Sequence, residues 1–168
     1  MFTIGVTQKL QKELALDLSS YEEKAQGTAE IWHMNLFKIG RYKGIALAHD
    51  KTLYSLVKIG LKKKDFMNIG EIIRNGLEEN MKADGFKKEA INSFMQKGGE
   101  MEFTKTHDRS TIGCLNEIIY NVEHFYYHSG GDLLNFNSEE MNHFNNRFIF
   151  MKLKGYPVEL MKEYVNQG

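Results

Sequence analysis

The stretch TKTHDRSTIGCLNE, Thr104 to Glu117, places a histidine, a carboxylate, a guanidinium and two hydroxyls in five consecutive residues, His107 to Thr111. Two kinds of chemistry fit that order. As the start of a helix, Asp108 or Ser110 accepts a free backbone N–H and stabilises the helix by about 1 kcal/mol. Arg109 then pairs with an acid of a neighbouring element, and Gly113 lets the helix lie close to a sheet. As a site, the positive end of the helix beside Arg109, Ser110 and Thr111 holds a phosphate or carboxylate. His107 acts there as acid or base near neutral pH, with Asp108 orienting it.

A second polar set is Trp32, His33 and Asn35. Strand alternation puts Trp32, Met34 and Leu36 on one face and Ile31, His33, Asn35 and Phe37 on the other. His33 and Asn35 between apolar neighbours mark a half-buried polar spot, which a satisfied internal hydrogen bond explains best, since buried polar groups are normally paired. A fifth strand lying beside this one would bring His33 and Asn35 to His107 and Arg109. The expected catalytic candidates are therefore His107, Asp108 and His33, and the expected ligand-binding set is Arg109, Ser110, Thr111, Asn35 and Asn116.

A third set is a polar stripe. Ser110, Cys114, Glu117, Asn121, His124 and His128 share one arc of a helix, with Ile112, Leu115, Ile119, Val122 and Tyr126 opposite. His124 and His128 stand four apart, but no His-Glu-x-x-His pattern accompanies them, so the expectation is no metal and no cofactor. Glycine-rich phosphate loops and the Gly-x-Ser-x-Gly elbow are missing as well.

The elements that must carry these residues follow from the periodicities. Phe2, Ile4 and Val6 alternate as a short strand, then Leu10, Leu14 and Leu18 fall at helical spacing. SSYEEKAQGT is a polar connection. AEIWHMNLFKIG, turn RYKG, IALAH, turn DKT and LYSLVKIG form a three-strand meander. Beyond KKKD the period changes. Ile69, Ile72, Ile73, Leu77 and Met81 mark a helix ending near Asp84-Gly85, and Ala90, Ile91, Phe94 and Met95 mark another stopped by Gly98-Gly99. EMEFTKT is a fifth strand. A long helix runs from about Ser110 to His128, Ser138 caps a helix through EEMNHFNNRFIF, and Pro157 opens a last one. The expected fold is a single α+β domain over residues 1–168, an antiparallel sheet of about five strands with four or five helices mostly on one face.

Composition narrows the function. Lys+Arg 22 balance Asp+Glu 22, which argues against a dedicated nucleic-acid binder. Lys62-Lys63-Lys64 is the one basic cluster, read as a solvated turn. A single cysteine, Cys114, excludes an intrachain disulfide and a cysteine zinc cluster and favours a reducing compartment. An early-charged N-terminus and no long apolar run make a cytoplasmic protein the expectation.

THDRSTIGCLNE resembles the hallmark Thr-(His/Asn)-Asp-Arg-Ser-x-x-Gly-x-(Met/Leu)-Asn of a family of uncharacterised bacterial proteins, a domain of unknown function. GVTQKL, the segment Trp32 to Leu36, the pair Asn146-Arg147 and Tyr156-Pro157 extend the resemblance over nearly the whole chain. Cys114 and Leu115 stand where the family has serine and methionine, so Cys114 is not the functional atom. The resemblance implies no activity. The leading expectation is a binding module for an anionic group or a protein partner, an accessory protein of a phage or mobile element. The alternative is a small enzyme acting on a phosphate ester or nucleotide with His107 as general acid/base.

Overall fold

The computed structural model describes residues 1–18, 30–106 and 108–167. The alternating runs become five strands: β1 (Phe2–Val6), β2 (Glu30–Ile39), β3 (Tyr42–His49), β4 (Ser55–Leu61) and β5 (Met101–Lys105). The helical spacings become α1 (Gln8–Glu13), α3 (Ile69–Ala83), α4 (Lys88–Gly98), α5 (Arg109–His128), α6 (Ser138–Asn145) and α7 (Pro157–Asn166). The lysine-rich segment read as a turn adds one more short helix, α2 (Lys63–Met67). The polar connection SSYEEKAQGT lies outside the described residues.

The sheet is mixed, not antiparallel. Its order is β4-β3-β2-β1-β5, and β1 pairs in parallel with both β2 and β5. The meander β2-β3-β4 is antiparallel, as short turns dictate. The two parallel pairs arise because the chain returns to the same end of the sheet each time, after α1 for β2 and after α2 to α4 for β5. Such returns leave no hairpin signature in the sequence.

Helices cover both faces, which corrects the one-sided expectation. Phe2, Ile4, Val6, Trp32 and Met34 pack with Leu10 of α1, Ile73 of α3, Phe94 of α4 and Met161 of α7. Phe37, Ile39, Ala46 and Val57 pack on the other face with Leu115, Ile118 and Val122 of α5 and Met141 of α6. Three local expectations also shift. The β2–β3 turn is Gly40-Arg41 rather than RYKG, since Ile39 pairs with Tyr42 and Gly40 adopts φ 59°. The cap of α6 is Asn137, whose Oδ1 accepts from Glu140 N, and the helix ends at Asn145 rather than running to Phe150. Phe150 turns back into the second core.

Helix α6 ends early because its asparagines serve the outer edge of β4. Asn142 accepts from Val57 N at 2.8 Å and donates to Val57 O at 3.2 Å. Asn146 does the same for Ser55, at 2.7 and 2.9 Å. Both amides are buried and stand in for a sixth strand, closing an edge that would otherwise pair with another chain. Arg147 reaches Asp84 at the end of α3, and the Tyr54 hydroxyl donates to the same carboxylate. Asn142→Ala leaves the buried N–H and C=O of Val57 without partners and is expected to lower stability by about 2 kcal/mol or more. Urea denaturation checks this. A loss under about 0.5 kcal/mol means that water replaces the amide freely.

Candidate active site

Strands β1 and β5 run side by side in parallel, and the chain leaves their carboxyl ends toward opposite faces. After β1 it enters α1, whose Leu10 joins the first core, and after β5 it enters α5, whose Leu115 joins the second. A crevice at such a switch point is the usual place for a ligand in sheets with parallel strands.

His33 reaches this crevice from β2, although β5 does not lie beside β2. β1 intervenes, and the residue in register between His33 and Thr104 is Gly5. A Cβ on Gly5 would lie 3.1 Å from Thr106 Cβ and 3.3 Å from His33 Nδ1. The bare glycine therefore lets the imidazole pass over β1 to the end of β5. There Nδ1 meets Thr106 Oγ1 at 2.8 Å, while Nε2 meets Asp50 Oδ1 at 2.8 Å. The His33 hydrogen bond holds the Asp50 carboxyl below its ordinary range, so Asp50 is ionised and accepts only. Nε2 thus carries a proton, and in the neutral imidazole the Thr106 hydroxyl donates to Nδ1. The result is an acid–imidazole–hydroxyl relay with His33 buried (7% exposed) and the Asp50 side chain reachable (32% exposed).

Asp108 answers the helix-start question. Its Oδ1 accepts from Thr111 N at 3.0 Å and its Oδ2 from the Thr111 hydroxyl at 2.9 Å. Those bonds, the backbone N–H first, hold its pKa below the usual carboxylate range. Lys152 donates to Thr111 Oγ1 at 3.1 Å. Thr111 is fully buried, so it serves the cap and the core. Arg109 and Ser110 face solvent on the first turn of α5. Asn35 accepts from the Thr7 hydroxyl at 2.9 Å and donates to Asn116 at 3.4 Å, linking β1, β2 and α5 beneath the junction. His107 lies outside the described residues.

The helix stripe is rotated from the expected one. Thr111, Leu115, Ile118, Val122 and Tyr126 face the core, while Ile112 and Ile119 are only half-buried. His124 and His128 sit exposed on the outer face with ring centroids 4.2 Å apart, away from the junction. Cys114 is half-buried, and burial pushes its thiol up, which makes it a poor nucleophile.

Periodicity alone passed over Asp50, Thr106 and Lys152. It also missed His33, Asp50 and Asp108 as a set, whose ligand atoms lie within 4.8 Å of one another and offer donors to a divalent ion. An ion there would have to take one ring nitrogen of His33 from its bond to Asp50 or to Thr106. A second histidine–carboxylate pair lies on the opposite face. His49 Nε2 meets Glu30 Oε2 at 3.3 Å, and Tyr164 donates to that oxygen at 2.7 Å.

Residues 3–160 match the model of the family described as Domain of unknown function (DUF6933). The chain belongs to that family. No curated protein and no solved structure matched the chain. The family match spans every residue of the relay, so the site lies within the region that defines family membership.

Two outcomes test the geometry. Gly5→Ala is expected to force apart Thr106 and His33 and to destabilise the protein by about 1–3 kcal/mol, seen in a lower melting temperature. Its histidine NMR signals are expected to show His33 released from Thr106, and unchanged signals would refute the close approach. Asp50 and Asp108 both have depressed folded pKa values, so their stabilisation is complete above the ordinary carboxylate value, 3.8. It is lost as pH falls through the lower folded values. Melts from pH 6 to pH 2.5 are expected to show an acid limb that Asp50→Asn and Asp108→Asn each flatten.

Proposed function

We propose that the crevice at the ends of β1 and β5 receives a small phosphate-bearing ligand, an ester or nucleotide, and that His33 transfers a proton on it. The observation that carries this reading is the Asp50–His33–Thr106 relay. A helix cap needs none of those three side chains, yet they connect three elements at the crevice. His33 takes the role first given to His107, with Asp50 as its orienting carboxylate. Its Nδ1 accepts the proton of the Thr106 hydroxyl, or of a water or substrate hydroxyl that displaces it. The ligand's negative charge is met by Lys152 and Arg109, and the Ser110 hydroxyl supplies a donor. These cations offset the two carboxylates nearby.

The same proposal includes a cytoplasmic location, supported by the single cysteine in the chain. It also includes a bacterial or phage origin, with Thr106 to Asn116 as the family's shared hallmark, supported by the resemblance of that stretch.

Turnover of a panel of phosphomonoesters, phosphodiesters and nucleotides tests the reading. His33→Gln is expected to lower kcat by roughly 10²–10⁴-fold with little change in melting temperature. Thr106→Ser keeps the hydroxyl and most of the activity, whereas Thr106→Val loses it. Binding without turnover, unaffected by His33→Gln but abolished by Arg109→Ala, would instead identify a module that recognises an anion. Wild-type protein that neither binds nor converts any member of the panel would end both readings.

A further inference from the structure

We infer that the sheet carries, beyond the carboxyl end of β2, a binding groove for single-stranded nucleic acid. The groove has a volume of about 1040 Å³ and lies between α1, the β2–β3 turn, the end of β4 and the start of α2. Six cations line it: Lys12, Lys38, Arg41, Lys43, Lys62 and Lys63. Only Glu13 and Asp132 oppose them among its lining residues, and Glu13 is taken by Lys43 at 2.9 Å. Lys12, Lys38, Lys62 and Lys63 have no ion pair among the described residues.

In the sequence these cations are scattered over more than fifty positions, and the chain as a whole is neutral. Folding gathers them. The Lys62-Lys63 pair, bland as an isolated turn, becomes one wall of a local positive field, and such a field concentrates a polyanion. The floor is not merely basic. The Arg41 guanidinium lies 5.1 Å from the centre of the half-buried Tyr42 ring and donates to its hydroxyl at 3.0 Å, which puts two flat groups side by side of the kind on which unpaired bases stack. Leu133 and Leu134 add apolar surface, with Leu134 93% exposed. A duplex hides its base faces from such a platform. An acidic peptide would satisfy the charges but leave the flat groups of Arg41 and Tyr42 without a flat partner. Cations that track a backbone beside a stacking platform are the recipe of sequence-tolerant single-strand binding.

This inference does not depend on the crevice reading, because the groove lies at the far end of β2 from His33.

Fluorescence anisotropy of labelled ten-nucleotide RNA and DNA strands with the full chain tests it. Binding by either strand is expected, weakening about 50-fold from 50 to 200 mM salt if four phosphates are neutralised at a slope of about −0.7 each. Lys38→Glu combined with Lys62→Glu and Lys63→Glu is expected to reduce affinity at least tenfold while the melting temperature holds. Lys87→Glu with Lys88→Glu, outside the groove, serves as the charge control and leaves binding unchanged. Should the triple variant fail to fold, Tyr42→Ala and Lys38→Gln are each expected to weaken binding severalfold. No binding of either strand by the wild type overturns the inference. So does an equal loss in the control, or competition by a glutamate-rich peptide as effective as unlabelled strand, the last assigning the groove to an acidic protein surface.

Discussion

A glycine flanked on both sides by parallel strands sets the geometry on which the rest of the site depends. Gly5 has His33 on one side and Thr104 on the other, and its missing side chain is the space through which His33 reaches Thr106. Any Cβ there meets the backbone of Thr106 as well as its side chain, at 3.3 and 3.1 Å, so the neighbours cannot yield by rotating a flexible tip. One small residue thus brings together a histidine from β2, a hydroxyl from the end of β5 and a carboxylate from the end of β3. The junction to α5 is held in turn by Asp108 and Thr111, and Asn35 braces it from below through Thr7 and Asn116.

Much of this was legible residue by residue, but the pairing of strands was not. Alternation put His33 and Asn35 on one face, the one α5 covers, and the place before a helical run made Asp108 one of two capping candidates beside Ser110, of which the structure selects Asp108. The mixed sheet was hidden because parallel pairing depends on long-range returns, which no local turn encodes. The partner of His33 was hidden because Asp50 stands in DKT, a turn in sequence and structure alike, and the composition of a turn does not show which side chain it aims at a neighbouring strand. With Ile39 opposite Tyr42, Asp50 lies opposite Ile31 and diagonal to His33 on the same face, and its N–H bonds Ile31 O.

The asparagines of α6 illustrate a different loss. Their spacing reads as a polar helical face, and solvent is the natural assumption for polar groups. Asn142 and Asn146 are buried because an amide offers the donor and acceptor of a peptide group and can finish the edge of a sheet, and buried Asn145 accepts from Asn121 of α5 instead. Sequence patterning carries polarity but not the geometry that tells a solvated amide from one that mimics a strand.

The two buried histidines differ in how firmly their partners are locked. His49 is 1% exposed, wedged between the rings of Trp32 and Tyr164, with Nδ1 on Thr52 and Nε2 on Glu30. Thr52 N donates to Nδ1, so the proton sits on Nε2 and both ring nitrogens are spent on groups that are themselves locked. Moving a proton there would disturb the packing of α7 against the sheet. His33 has the same number of partners, yet Asp50 is partly open to solvent and Thr106 ends a strand at the crevice. A ligand entering there can replace the Thr106 hydroxyl without unpacking either core. Burial of the ring with access to its partners is what general acid–base work requires, since the imidazole is held in place while the group on Nδ1 can be exchanged.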